Sequence, residues 1–195
     1  QAAPIISPVG SFNSASTVSS TQYNLVTWSL SSTWTDVSIS AALVNFSTAP
    51  RSGDAYLMNQ VGPGTTAANQ IAFTIFTFAP SDGSNPPPYV DLFSGLTLGP
   101  ATYYLVFAST DAVGGRGIAI GPGVTYSTAA GVSVGTPQIT VTEAGFAPAS
   151  TWGNSGLGNR LFRIEGNSVP EPATLALLGL GLVAEYQYLR QQTDR

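Results

Sequence analysis

Short apolar runs with a two-residue period are the feature that most restricts how this chain can fold. The segment 36–46 places Val37, Ile39 and Leu43 at alternate positions, and the segment 71–78 repeats the alternation. A period of two predicts β-strands that bury one face. The chain has 21 Gly and 14 Pro to form turns, and no amphipathic helical pattern occurs before residue 170. We therefore expect an all-β protein, an antiparallel β-sandwich similar to a jelly roll.

Composition divides the 195 residues into three parts. Residues 1–22 are rich in Ser, Thr, Ala and Pro and carry no charge, which predicts an extended N-terminal arm with at most a short strand near Ile5 or Val9. Residues 23–167 carry the strand pattern and are expected to form one sandwich domain. Residues 168–195 form a C-terminal tail with a short apolar run, which is expected to serve in sorting, anchoring or assembly.

The last strand of the expected domain shows how its side chains should divide between core and solvent. Within the segment 160–165, Leu161, Phe162 and Ile164 are expected to face the core. Alternation then directs the charged residues of this segment outward. The residues predicted to face solvent are Arg160, Arg163 and Glu165.

Missing residue types exclude several functions. The chain has no His, no Cys and no Lys, so disulfides and the usual zinc, copper and iron–sulfur ligand sets cannot form. A catalytic site with a histidine base is excluded for the same reason. Six scattered Arg in a chain of net charge −4 argue against nucleic acid as a partner. We therefore predict a protein that is not an enzyme and that needs no cofactor.

Carboxylates are the one catalytic device that remains. Two of them could support glycoside hydrolysis, but most lie in segments typical of turns, where Asp forms local hydrogen bonds. A structural calcium ion could bind near Asp82 or Asp111, although no EF-hand spacing is present. The acids of the expected arm and domain are Asp36, Asp54, Asp82, Asp91, Asp111, Glu143 and Glu165.

Aromatic side chains offer a possible carbohydrate-binding surface. Trp28, Trp34 and Trp152 are the main candidates for flat platforms against sugar rings, with Tyr89 and Tyr126 as further candidates. The same residue types also commonly fill the core of a sandwich. Both alternatives remain open from the sequence.

The tail carries the most specific motif. It begins with Val169-Pro170-Glu171-Pro172, in which two prolines hold the chain extended, and a Leu- and Gly-rich run follows. This arrangement resembles the PEP-CTERM sorting signal of exported bacterial proteins that exosortase handles. The resemblance implies export, processing or transient anchoring at the tail, and recognition of Val169, Pro170, Glu171 and Pro172.

The apolar run after this motif is short for a membrane span. As a helix, 173–184 would be about 18 Å long, against a bilayer core of roughly 30 Å, and Glu185 interrupts it. A marginal membrane segment and an element for protein–protein packing both remain open. The apolar residues expected to act in either role are Leu175, Leu177, Leu178, Leu180, Leu182 and Val183.

Residues 33–166 carry a second resemblance. The strands at 103–106 and 161–164 are similar to those of the β-sandwich domains called choice-of-anchor domains, which often precede such tails. These domains rarely have an assigned activity, so the resemblance implies a fold and a location more than a chemistry.

Low charge completes the sequence-based prediction. Only 8% of the residues are charged, against roughly 25% in an ordinary soluble domain, so copies of the chain repel one another weakly. We expect an exported structural protein of the cell surface or extracellular matrix, assembling into a filament or biofilm component through 1–22 and 173–189. The start at Gln1 fits a mature terminus left by a cleaved signal peptide.

The alternative is a carbohydrate-binding module retained at the envelope or in exopolysaccharide. A carboxylate-dependent glycosidase or lyase is the least favoured prediction. The expected partners are copies of the chain itself, extracellular polysaccharide, and exosortase or the membrane through the tail.

Overall fold

The chain forms two antiparallel β-sheets that pack face to face, which confirms the expected all-β sandwich. The computed structural model describes residues 2–80, 87–110, 116–121 and 123–169. The tail from Pro170 onward and the calcium candidates Asp82 and Asp111 lie outside the described residues.

Fifteen strands are present in the described ranges. Two single 3₁₀ turns accompany them, at Ala67–Asn69 and Ala147–Ala149. The strands are β1 (Ala3–Val9), β2 (Ser14–Thr17), β3 (Asn24–Leu30), β4 (Trp34–Asn45), β5 (Arg51–Met58), β6 (Gln70–Phe78), β7 (Tyr89–Leu98), β8 (Ala101–Ala108), β9 (Arg116–Gly121), β10 (Thr125–Thr128), β11 (Val132–Val134), β12 (Gln138–Thr142), β13 (Thr151–Asn154), β14 (Asn159–Arg160) and β15 (Phe162–Ser168).

Strand order places β4 and β8 inside their sheets. The first sheet runs β10-β1-β15-β4-β9-β14, with β2 paired to β9 and β7 paired to β4. The second sheet runs β13-β12-β3-β8-β5-β6, with β11 paired to β3. In this order β6 lies at one edge of the second sheet.

Aromatic rings from both sheets join in the core. Trp28 of β3 stacks on Tyr103 of β8 at 5.9 Å between ring centroids, and its ring lies 6.0 Å from Phe162 of the opposite sheet. Burial of a large apolar side chain contributes about 1.5–3 kcal/mol, so these contacts hold the two sheets together without disulfides. Alternating apolar positions such as Val37 and Ile39 supply the rest of this core.

The N-terminal segment belongs to the sandwich and does not extend from it as the expected arm. Strand β1 pairs with β15 on one side and β10 on the other. Ile5 and Ile6 are both fully buried, since a register irregularity between Pro4 and Ile6 interrupts the alternation there. Two apolar residues that lose their contact with water hold this segment in the sheet.

Candidate functional site

A polar cleft lies on the outer face of the first sheet, where β15, β4 and β7 run side by side. Its volume is about 350 Å³. Ser38 and Ser40 point into it because their neighbours Val37 and Ile39 belong to the core. The residues that line the polar cleft are Ser38, Ser40, Asp91, Leu92, Phe93, Ser94, Arg163 and Glu165.

Strand register determines which charges meet in the polar cleft. Ser40 of β4 lies between Arg163 of β15 on one side and Asp91 of β7 on the other. Glu165 lies beside Ser38, one step further along the same face. Two carboxylates and one guanidinium therefore project from neighbouring positions of one sheet face.

Arg163 is held in place by two contacts. Its Nε donates a hydrogen bond to Ser40 Oγ at 2.8 Å, and its guanidinium carbon lies 4.7 Å from the centroid of the Tyr89 ring. Burial raises the pKa of the Tyr89 phenol, against a smaller lowering by the Arg163 cation, so this ring is neutral at physiological pH. The terminal nitrogens of Arg163 have no hydrogen-bond partner within the described ranges.

Irregular pairing of β7 accounts for the concave shape of the polar cleft. The register between β4 and β7 shifts twice between Val37 and Ser40, and Gly95 in this part of β7 has a φ of +68°. Extra residues of this kind bend a strand and increase its twist. The consecutive residues Leu92 and Phe93 are both buried as a result.

Asp36 extends the polar face beyond the cleft. It is the one residue other than glycine with a positive φ in the described part of the chain, at 51°. Asn167 Nδ2 donates to Asp36 Oδ2 at 3.0 Å. This contact stabilises a backbone conformation that Asp tolerates better than most residues.

The predicted acids separate into two groups in the structure. Asp91 and Glu165 share the polar cleft with Asp36 nearby, whereas Asp54 lies on the second sheet, where burial raises the pKa of its carboxyl. Strand spacing puts the Cα atoms of Asp91 and Glu165 about 12 Å apart, two strands and two residues from each other. Their side chains rise side by side from one face and do not oppose each other across a crevice.

The prediction of an exposed, sugar-binding tryptophan is wrong for two of the three candidates. Trp28 and Trp34 expose only 1% and 6% of their surface, because both rings fill the core between the sheets. Trp152 is half-buried against a cluster on the outer face of the second sheet, and Tyr126 donates to the Arg160 carbonyl at 2.6 Å. Of the aromatic candidates, Tyr89 is the one beside the polar cleft.

The prediction that Arg163 and Glu165 face outward is correct. Nothing in the sequence indicated that they share a cleft with Asp91 and the serines of β4. Alternation within a strand gives the face of each side chain and says nothing about which strand lies next to it. The prediction that Arg160 faces solvent is wrong, since this residue is fully buried.

An apolar patch lies at the free edge of the second sheet. Strand β6 pairs with β5 alone among the described strands. Ile71, Phe73 and Ile75 expose 39%, 43% and 65% of their surface, and Phe73 packs on Tyr56 at 4.9 Å between centroids. We call these three residues of β6 the apolar edge.

The described ranges contain no cluster of three or more acidic, His or Cys residues able to hold a metal ion. In the same ranges no helix has the length and apolar character to cross a membrane. The calcium sites at Asp82 and Asp111, and the role of the apolar run at 173–184, stay predictions.

An all-β sandwich followed in the sequence by a Pro-Glu-Pro motif defines the class of the molecule as a folded domain with a C-terminal sorting signal. Residues 168–191 match the PEP-CTERM protein-sorting motif, which confirms the resemblance noted in the sequence. The motif implies export to the cell envelope or surface, with exosortase as the sorting partner.

Other comparisons add little to this assignment. Residues 90–175 match a second family model, described as the MMPL family, over less than half of the chain. The described part of that range consists of strands from both sheets, and no assignment rests on this match. No curated protein matches the chain.

Proposed function

We propose that this protein is a non-enzymatic structural component of the bacterial cell surface or extracellular matrix, and that its sandwich associates with copies of itself. Export and sorting follow from the tail motif. The observation that carries the self-association is the apolar edge, on a strand that pairs on one side only among the described strands.

Strand β6 has the properties of an association surface. Natural sheets protect their edges with charged residues, proline or a covering segment, because unpaired N–H and C=O groups readily pair with another strand. The sequence of Gln70–Phe78 contains neither a charged residue nor a proline. A second β6 would satisfy the free backbone groups and cover the apolar edge without charge repulsion.

A structural role is favoured over an enzymatic one by the arrangement of the acids. Glycosidases need two carboxylates on either side of the scissile bond. Asp91 and Glu165 stand side by side on one sheet face, and the chain has no His, Cys or Lys to serve as another catalytic group.

The route of association differs from the one expected from the sequence. Residues 3–9 are paired on both sides as β1, so they would have to leave the sheet before they could bind a neighbour. Assembly through 173–189 lies outside the described residues and remains a prediction. The apolar edge needs no rearrangement within the sandwich.

Charge placed on the apolar edge tests the proposal. We expect the purified full chain to form oligomers and Ile75→Lys to be monomeric, because two lysines brought together at a paired edge repel each other. Size-exclusion chromatography with light scattering measures this, and electron microscopy checks for filaments. Val141→Lys is the matched control, since Val141 is 70% exposed on a different strand.

The control should associate as the unchanged chain does. A monomeric unchanged chain, or oligomers of undiminished size for Ile75→Lys, would contradict self-association through β6.

A further inference from the structure

We infer that the polar cleft binds a neutral saccharide chain. The polar cleft lies on the first sheet and the apolar edge on the second, so the binding is independent of the proposed self-association. The inference rests on the donors, acceptors and charge balance of the cleft.

Unused hydrogen-bonding groups of both kinds face the same space. The terminal nitrogens of Arg163 donate, the carboxylates of Asp91 and Glu165 accept, and none of them has a hydrogen-bond partner within the described ranges. A sugar hydroxyl both donates and accepts, so a polyhydroxylated ligand satisfies all three groups at once. Charge-assisted hydrogen bonds of this kind are the stronger ones.

The balance of charge selects against anionic ligands. Asp91 lies across β4 from Arg163, and Glu165 lies two residues further along β15, so an anionic polysaccharide would meet two carboxylates for one guanidinium. A neutral chain incurs no such repulsion.

The polar cleft is also preorganised. Ser40 and the Tyr89 ring fix the orientation of Arg163 before any ligand arrives, which reduces the entropy lost on binding. A volume of about 350 Å³ is at the lower end of the range for ligand sites, and the cleft is open to solvent.

Affinity electrophoresis of the full chain tests this inference. Native gels would contain one of three neutral polysaccharides (dextran, galactomannan or hydroxyethyl cellulose) or acidic alginate, and mobility is compared with a gel without polysaccharide. We expect retardation by at least one neutral polymer and none by alginate. Each of Asp91→Asn and Arg163→Gln should weaken this binding about tenfold, the effect of losing one charge-assisted hydrogen bond.

Glu143→Gln is the matched control, because it removes one negative charge, as Asp91→Asn does, from an exposed site outside the cleft. It should bind like the unchanged chain. Asp91 is exposed, so its isosteric variant tests the inference even if Arg163→Gln proves unstable.

The inference would be overturned if none of the three neutral polysaccharides retarded the unchanged chain. Undiminished binding by Asp91→Asn, or retardation by alginate alone, would overturn it as well. Retardation that persists in Ile75→Lys is expected, since that residue lies on the other sheet.

Discussion

Arg160 carries a positive charge inside the sandwich and has no carboxylate partner among the described residues. Its terminal nitrogens donate four hydrogen bonds to neutral oxygens, to Asn24 Oδ1 at 2.7 Å, Gly158 O at 2.9 Å, Ser16 Oγ at 3.1 Å and Ser155 Oγ at 3.2 Å. Burial lowers the pKa of this guanidinium to about 10, so it remains protonated at neutral pH. Because Asn24 belongs to the second sheet and Arg160 to the first, these bonds connect the sheets.

Removing the Asn24 amide should therefore destabilise the fold. We expect Asn24→Ala to lower the free energy of unfolding by about 3 kcal/mol, because a buried charge loses its shortest hydrogen bond and keeps its desolvation cost. Urea denaturation followed by tryptophan fluorescence measures the change. Asn13→Ala, at an exposed position, should lie within about 0.5 kcal/mol of the unchanged chain. Equal stabilities of the two variants would show that Arg160 does not depend on Asn24.

Strand β1 shows how a segment without charge or strong periodicity becomes an essential element. Its composition is typical of an extended leader, yet its backbone completes the ladder between β10 and β15. Ile5 contacts the core so closely that a side chain on Gly166 of β15 would meet its Cδ1 at 3.0 Å. Tight packing of this kind makes β1 part of the folding unit.

Truncating one side chain of β1 distinguishes a core strand from an arm. We expect Ile5→Ala to lower the free energy of unfolding by about 3 kcal/mol through lost burial and the cavity left behind. Val9→Ala on the same strand, where Val9 is 55% exposed, should change it by less than about 0.5 kcal/mol. Thermal and urea unfolding measure both. A free arm would instead give two variants of unchanged stability, with Ile5→Ala impaired in association.

The two proposed functional surfaces of the molecule lie on different sheets, and the sorting motif follows the last strand. The first sheet carries the polar cleft, the second sheet carries the apolar edge, and the sorting motif begins where β15 ends. Val169 is the last described residue, and its N–H donates to Thr33 O at 3.0 Å. The sorting motif thus follows directly on a strand that contributes Phe162 and Ile164 to the core.

Removing the tail should separate folding from sorting. We expect a chain that lacks 170–195 to keep its thermal unfolding temperature, because the described residues form a core cluster of their own between Ile5 and Ile164. The truncated chain should be lost from the cell envelope fraction, since exosortase no longer recognises it. Calorimetry of the purified chains and fractionation of expressing cells measure the two effects. Asn13→Ala, at an exposed position outside the motif, serves as the control with intact sorting. Envelope retention of the truncated chain would contradict the role of the motif.

Local patterns account for what could be predicted. Val37 and Ile39 reveal a strand because only the residues beside them matter for a two-residue period. The Pro-Glu-Pro motif is likewise contiguous, so its meaning can be read without knowing the fold. Tyr89 is a candidate for sugar binding because it is aromatic. Nothing near it along the chain indicates that Arg163 lies over its ring.

Residue types and local patterns were sufficient to predict the all-β class, the outward direction of Arg163 and Glu165, the sorting motif and the lack of histidine- or cysteine-based chemistry. Each of these depends on residue type or on neighbours within a few positions. The burial of Trp28 and Arg160, the place of β1 within a sheet, and the shared cleft of Asp91 and Arg163 on either side of β4 became clear only from the three-dimensional fold. Those outcomes depend on which strands pair and in what register, a choice made by the free energy of packing the whole core.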